Sequence, residues 1–452
     1  MGLTRDLGAF VAGLSPRDVP PEGRRIASLG FVDCVGVMIA GSVEPVADVV
    51  ARTVLDEGGA REAAIFLGSR RAPAPQAAWV NGTAAHALDY DDAGGHRSAV
   101  LVPTLMAEGE ALGASGEAMS TAYVAAYETW SELALREKGH LHERGWHPTG
   151  IYGTVAAAAA AARLRGLDAE RTATALAIAA SQACGVVANF GSMVKPFHVG
   201  NAARAGIIAA RLAANGMTAS GNALEHPRGF LSAISQHGEF DAERPVEAGR
   251  RWRIGIEGVS VKKYPTCYCT HRAIDAMLGL VRQHDLKPQA IEAIDVAIGR
   301  TQKAILHADR PTTGLEGKFS IQFTMACAAA EREVTLAQLV DPVVQRDDIQ
   351  ALMRRVRVTL LDHYDEVMPQ YARYDQVKVT LKSGEVLESP QVTRARGHIE
   401  LPLDRDELYA KFADCLTYGR SSLDGRTLFD QLGHLDQQPA GWLSRLARDS
   451  NN

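Results

Sequence analysis

Seven consecutive alanines, Ala156 to Ala162, close a stretch from Gly145 that contains no Asp, Glu, Lys or Arg. Alanine has the best helix propensity and no bulk, so such a segment reads as a helix that lets its neighbours approach closely. The rest of the first 240 residues agrees, being rich in alanine with apolar positions at helical rather than strand spacing. Pro20 to Ala40 opens on Pro-Pro and stops at Gly41, and Asp168 to Ala183 starts with Asp-Ala-Glu, suited to an N-cap and first turn. The latter reads as a central, fully packed helix. A second uncharged run, Thr172 to Val194, includes Ser181, Gln182, Asn189 and Ser192, which lipid would leave without partners. Both runs are therefore expected to be helices buried in protein, with no membrane contact.

After Lys263 the pattern changes. Ile291 to Ile298 and Gln376 to Leu387 alternate apolar and polar residues, the signature of strands, and Ser383-Gly384 supplies a hairpin turn. His271 to His284 and Val334 to Arg354 read as helices between them, and the helical period returns from Asp404. The expected fold is mainly α. A large helical domain formed by residues 1–263 and 395–452 carries an inserted α+β domain, residues 264–394.

Lys+Arg number 48 against 53 Asp+Glu, a formal charge of −5 over 452 residues. With no broad basic field, nucleic acid and anionic membrane are not expected partners. Six cysteines without a CxxC pair suggest neither a disulfide framework nor structural zinc, and the N-terminus has no signal-peptide core, so a cytoplasmic protein is expected. No GxGxxG follows a strand, and HExxH and GxSxG are absent. Gly314 to Lys318 has the wrong glycine spacing for a phosphate loop, with Phe319 where Ser or Thr is needed. No cofactor and no dedicated metal site are expected.

Acid/base and cationic groups concentrate in four segments. His86 to Ser98 has three carboxylates in four positions beside two histidines, and Gly145 to Gly150 has His147 just before a helix with Pro148 suited to its first turn. In Met193 to Asn201, Lys195 is the first charge after 23 uncharged residues and is followed by His198. Lys262 to Arg272 carries Lys263, His271 and Arg272 at the change of pattern, either a basic hinge or a carboxylate clamp.

In order and spacing, HALDYDD, GWHPTGIYGT, KPFHVGNAARAG, HPRGFL, KKYPTCYCTHRAIDA and KFSIQF resemble the MmgE/PrpD family, a likeness reaching from Asp33 to Phe412. The resemblance implies a helical domain with a smaller α+β lid, a homodimer, and an organic-acid site without an organic cofactor. The chemistry it implies is that of a lyase (dehydratase or decarboxylase) or an epimerase, acting beside a carboxylate of a small di- or tricarboxylic acid. Carried over residue by residue, the catalytic candidates are Asp89, His96, His147, Lys195 and His271. Histidine titrates near working pH and suits the acid and base roles. Lys195, Arg272, Lys263, Arg97 and His198 would hold substrate carboxylates, with Lys195 also stabilising developing enolate-like charge.

The chain departs from the family pattern at Ala93, where relatives commonly have Thr, in the short loop from Asp92 to His96, and at Arg97 in place of proline. Ala93 removes a hydroxyl that could hold a substrate oxygen, so 2-methylcitrate is not the expected preferred substrate. Arg97 either engages a carboxylate or faces solvent. The alternative to an enzyme is a non-catalytic organic-acid binder on the same fold.

Overall fold

The computed structural model describes residues 2–138 and 141–449 and divides the chain into two units, Met1–Val259 with Cys415–Asn452, and Ser260–Asp414. The longest helices of the first unit are α1 (Leu3–Gly13), α2 (Pro21–Gly41), α3 (Pro45–Glu57), α4 (Ala74–Ala87), α5 (Arg97–Leu112), α6 (Gly116–Ala134), α7 (Pro148–Leu164), α8 (Ala169–Ala180) and α9 (Val194–Ala214). Helix α7, which holds the alanine run, is buried on every side from Thr149 to Ala162, as an all-round apolar helix must be. It packs against α5, α6, α8 and α9, and α9 also packs on α4.

Small residues set how close these helices come. A Cβ on Gly200 of α9 would press on the Trp79 carbonyl oxygen and lie 2.8 Å from the Thr83 amide nitrogen, both in α4. A Cβ on Gly206 would lie 2.6 Å from the carbonyl carbon of Ala157 in α7. Backbone thus meets backbone on both sides of α9, and neither contact leaves room for a methyl group.

The uncharged run Thr172 to Val194 corrects the expectation of a continuous buried helix. Helix α8 begins where expected, with Asp168 accepting from the Arg171 amide at 2.8 Å, but it ends at Ala180 and leaves Glu170 and Arg171 in solvent. Residues 181–193 form turns and a single 3-10 turn, Val187–Asn189, with Val186, Phe190 and Met193 exposed. Lack of charge did not mean burial there, because Gly185 and Gly191 take positive φ and interrupt any helix. Among the described residues, no single helix is long and apolar enough to cross a membrane.

The second unit carries a four-stranded mixed sheet, β1 (Ile291–Gly299), β2 (Val356–Leu361), β3 (Gln376–Leu381) and β4 (Val386–Glu388), in the order β2-β1-β3-β4. Strand β1 runs parallel to β2 and antiparallel to β3, and β3 turns into β4 through Gly384 at φ 89°. Ile294, Val296, Val377 and Val379 pack with Ile274, Met277 and Val281 of α10 (His271–Gln283) and Phe323 of α11 (Ile321–Glu331). Val334 to Arg354, expected as one helix, is broken into Leu336–Gln338, Asp341–Val344 and Asp347–Met353. Pro342 can only begin a helix, and it does so at the second piece. The unit extends past Arg394 to Asp414 because the later residues are tied into it: the Arg396 amide donates to Asp275 at 2.7 Å, and Glu407 accepts from Lys263 Nζ at 2.7 Å and Arg396 Nε at 2.8 Å.

Gly200→Ala should lower unfolding stability by at least about 1–3 kcal/mol, the cost of overpacking a rigid contact. Gly279→Ala, exposed in the middle of α10 with open space around it, should instead raise stability by about 0.5–1 kcal/mol. Denaturant midpoints of the two variants check the contrast; equal effects would mean that the α4–α9 contact relaxes freely.

Candidate active site

Helix α4 ends at Ala87 with His86 turned inward, and the chain reverses before α5 through Asp89 (φ 51°), Gly94, Gly95 and His96 (φ 58°). Two non-glycine residues in the left-handed region within one short loop mark a conformation imposed by its surroundings. Asp91 supplies the constraint. His86 Nδ1 donates to Asp91 Oδ1 and His96 Nδ1 to Asp91 Oδ2, each at 2.9 Å, so one carboxylate fixes both rings. The rings lie 4.3 Å apart between centroids. Asp92 accepts from the Ser98 amide at 3.2 Å and closes the first turn of α5.

Two further helix starts meet this loop. His147 is the N-cap of α7, with Pro148 at its first position as expected, and Thr149 Oγ1 donates to the Gly95 carbonyl at 3.0 Å. The His147 ring lies 6.1 Å from that of His86 and edge-on to Phe190. Lys195 and His198 occupy the first turns of α9. Lys195 Nζ donates to Asp89 Oδ1 at 3.1 Å, and the same oxygen lies 3.8 Å from His96 Nε2. His198 Nδ1 and His147 Nδ1 share a hydrogen bond at 3.2 Å. The N-termini of α5, α7 and α9 therefore meet in one site, where their partial positive charge favours an anion.

Burial grades the cluster. The side chains of His86 and Asp91 are fully enclosed, whereas those of Lys195, His96 and Asp89 keep 18%, 18% and 24% of their surface. The first pair forms a floor and the other three a rim open to a reactant. Burial pushes His86 down to about 4 even though Asp91 opposes it, and burial with the neighbouring histidine and lysine charges holds His147 far below its usual range. Burial alone would raise Asp91, but the charges and hydrogen bonds of His86 and His96 outweigh it and keep the carboxylate ionised. Asp92, buried beside ionised Asp91, is pushed up to about 7.

Asp89, His96, His147, Lys195 and His198 thus come together, with His86, Asp91 and Asp92 as the members that the sequence reading did not select. Their signal was present, since His86 and Asp91 bracket the helix end in HALDYDD. The remaining expected ligands have other partners. Arg97 is neither exposed nor open to a ligand: it pairs with Glu257 at 2.6 Å and lies 4.1 Å from the Tyr127 ring centre. In the second unit, Arg272 binds Asp375 at 2.7 Å and the Ala372 carbonyl at 2.9 Å. Freeing it for a substrate would leave the buried Asp375 without its counter-charge, held by Gln302 Nε2 alone, at about 3–5 kcal/mol. Lys263 is paired with Glu407, and His271 is wholly buried between Tyr264 and Tyr268, its Nε2 3.2 Å from the Thr266 carbonyl. Burial pushes His271 down to about 3. No metal site is expected from sequence motifs, yet His86, Asp89, Asp91 and His96 bring together two imidazoles and two carboxylates that could hold an ion.

The depressed His86 ties stability to pH. It is neutral in the folded chain but takes a proton near 6.5 when unfolded, so its contribution is complete above about pH 6.5 and is lost as pH falls through about 4. Asp92, held neutral up to about 7, acts in the opposite sense, its contribution being lost as pH rises from 3.8 to about 7. In His86→Asn, the unfolding midpoint should therefore fall less between pH 6.5 and 4 than in the parent chain. Identical slopes would mean that His86 is charged when folded.

The family models for the MmgE/PrpD N-terminal and C-terminal domains match residues 5–243 and 264–427. Cis-aconitate decarboxylase from Mus musculus is 29% identical over 359 residues, covering 76% of this chain and 72% of its own. The enzyme of that name from Aspergillus terreus is 25% identical over 393 residues, covering 81% and 80%. The cis-aconitate decarboxylase-like protein oryM of Aspergillus oryzae is 26% identical over 438 residues, covering 91% and 89%. With both domain models matched in order along its length, this chain belongs to the MmgE/PrpD family.

Proposed function

We propose that the chain is a lyase that removes carbon dioxide from a small unsaturated di- or tricarboxylic acid of the cis-aconitate kind, by acid/base chemistry without an organic cofactor. The observation that carries this reading is the meeting of Lys195 and three helix N-termini around His96, an anion site with a proton carrier at its rim. The names of the relatives favour decarboxylation over dehydration or epimerisation on the same platform.

In such a substrate the carboxylate to be lost sits on a carbon next to the double bond. The bond to that carboxylate breaks, and its electron pair becomes a new carbon–carbon double bond. The old π pair takes a proton at its far carbon, and carbon dioxide leaves. The protein has to neutralise the carboxylates that stay, deliver one proton and recover it from water. Lys195 would trade Asp89 for a substrate carboxylate, giving a stronger contact once water is excluded. His96, facing Asp91 through Nδ1 and Asp89 through Nε2, is equipped to carry the proton at Nε2 and hand it over. Asp91, accepting from Nδ1–H, orients the ring with Nε2 outward and supports the imidazolium that carries the second proton, as a carboxylate behind a catalytic histidine does elsewhere. His147, kept neutral, serves as a hydrogen-bonding partner rather than as an acid.

Lys195→Ala should lower kcat/KM by about 10²-fold or more, the scale for losing one preorganised charge stabiliser, while circular dichroism and the melting temperature stay near those of the parent. Turnover close to the parent's would remove Lys195 from the reaction.

Carbon dioxide release from cis-aconitate, followed alongside water loss from 2-methylcitrate, tests the reaction itself. The decarboxylation should have the higher kcat/KM, and in D2O each product molecule should carry one carbon-bound deuterium. Faster dehydration of 2-methylcitrate would overturn the choice of reaction, and no turnover of any carboxylic acid would leave a binding protein.

A further inference from the structure

We infer that the His86–Asp89–Asp91–His96 cluster is a binding site for a divalent transition-metal ion of the zinc class, and that such an ion inhibits the protein by displacing Lys195. One ligand atom from each of the four residues lies within 4.8 Å of all the others. A tetrahedral zinc site with bonds of about 2.0–2.2 Å needs donors about 3.3–3.5 Å apart, so a contraction of at most about 1.5 Å between the most distant donors closes the ring. Two carboxylates balance the dication's charge, and two imidazoles select zinc, cobalt or nickel over magnesium and calcium, which prefer oxygen alone.

The floor of the site is prepared and the rim gives access. His86 and Asp91 are enclosed and held in place by their mutual hydrogen bond, whereas Asp89 and His96 are partly exposed. His86 Nε2 is a second observation pointing the same way: it is buried, and no hydrogen-bond partner reaches it. A buried ring nitrogen without a partner has a lone pair or a proton to place, and a metal on Nε2 would take up that lone pair while Nδ1–H keeps its bond to Asp91. In the resting cluster a cation is already present, since Lys195 Nζ sits 3.1 Å from Asp89 Oδ1. A dication bound to Asp89 repels that ammonium and takes the His96 Nε2 that faces the same oxygen, so the carboxylate clamp and the proton carrier of the proposed reaction are lost together. The inhibitory half of the inference rests on that reaction; the binding half does not.

The test reads binding and activity separately, on the full-length chain freed of metal by EDTA. Zinc titrated calorimetrically should bind with one ion per chain, and cobalt should give the intense visible absorption of a four-coordinate site, while magnesium gives no heat. His96→Gln and Asp89→Asn, both partly exposed and checked by melting temperature, should each weaken zinc binding by about 10-fold or more. EDTA-treated protein should turn over at full rate, lose activity on adding zinc and regain it with EDTA. Absence of stoichiometric zinc binding, or affinity unchanged in both variants, overturns the site. Loss of activity on chelation, restored by the metal, overturns inhibition and makes the ion a working part of the enzyme. Zinc binding that depends on both residues, in a chain that turns over no acid, keeps the site and removes only the proposed reaction.

Discussion

The contact of α9 with α4 and α7 at backbone distance is the constraint on which the first unit depends. His86 rides on α4, His147 on α7, and Lys195 and His198 on α9. Distances of 3.1–3.2 Å among side chains on different helices survive only if the helices cannot slide, and Gly200 and Gly206 remove the side chains that would let them part. The alanine run serves the same end on α7. Small residues here are the means by which three helix starts are brought to one point.

On that frame, Asp91 does with one carboxylate what would otherwise take two. Its two oxygens reach His86 and His96 separately, joining the end of α4 to the start of α5 across a loop that carries two strained residues. The strain at Asp89 and His96 is of the order of 1–3 kcal/mol each and has to be offset locally. Charge-assisted hydrogen bonds to a buried carboxylate, at about 1.5–3 kcal/mol each, are of the right size to do so. The loop geometry, and with it the line from His96 to Asp89 to Lys195, follows from a residue that never meets solvent.

Much of this architecture was legible in the sequence, and the illegible parts share a cause. The alanines of α7, the alternation in β1 and β3 and the turn at Gly384 are local signals, and each produced the element that it announced. That Asp89, His96, His147 and Lys195 lie together was expected because their motifs fall in a recognisable order. The partners of Arg97 and Arg272 were not legible, because Glu257 and Asp375 lie 160 and 103 positions away. Residues 181–193 failed for a related reason. Their lack of charge is compatible with a core or with an exposed turn, and only the neighbours decide.

The charge state of the cluster explains why its sequence signature looks contradictory, acidic and basic at once. Asp91 is ionised and enclosed, Asp89 is shared between Lys195 and His96, and the rings of His86 and His147 are kept neutral by burial. With the three helix N-termini added, the floor is satisfied while the rim holds one ammonium and one carboxylate in a bond that solvent can reach. In the proposed reaction an entering polycarboxylate would replace Asp89 on Lys195, the one exchange that this rim permits without opening the floor. Lys195 and His96 meet at a single oxygen, Asp89 Oδ1, so whatever displaces the ammonium also changes what faces that ring. The three carboxylates that look redundant in HALDYDD divide between orienting the rings, closing α5 and pairing with Lys195.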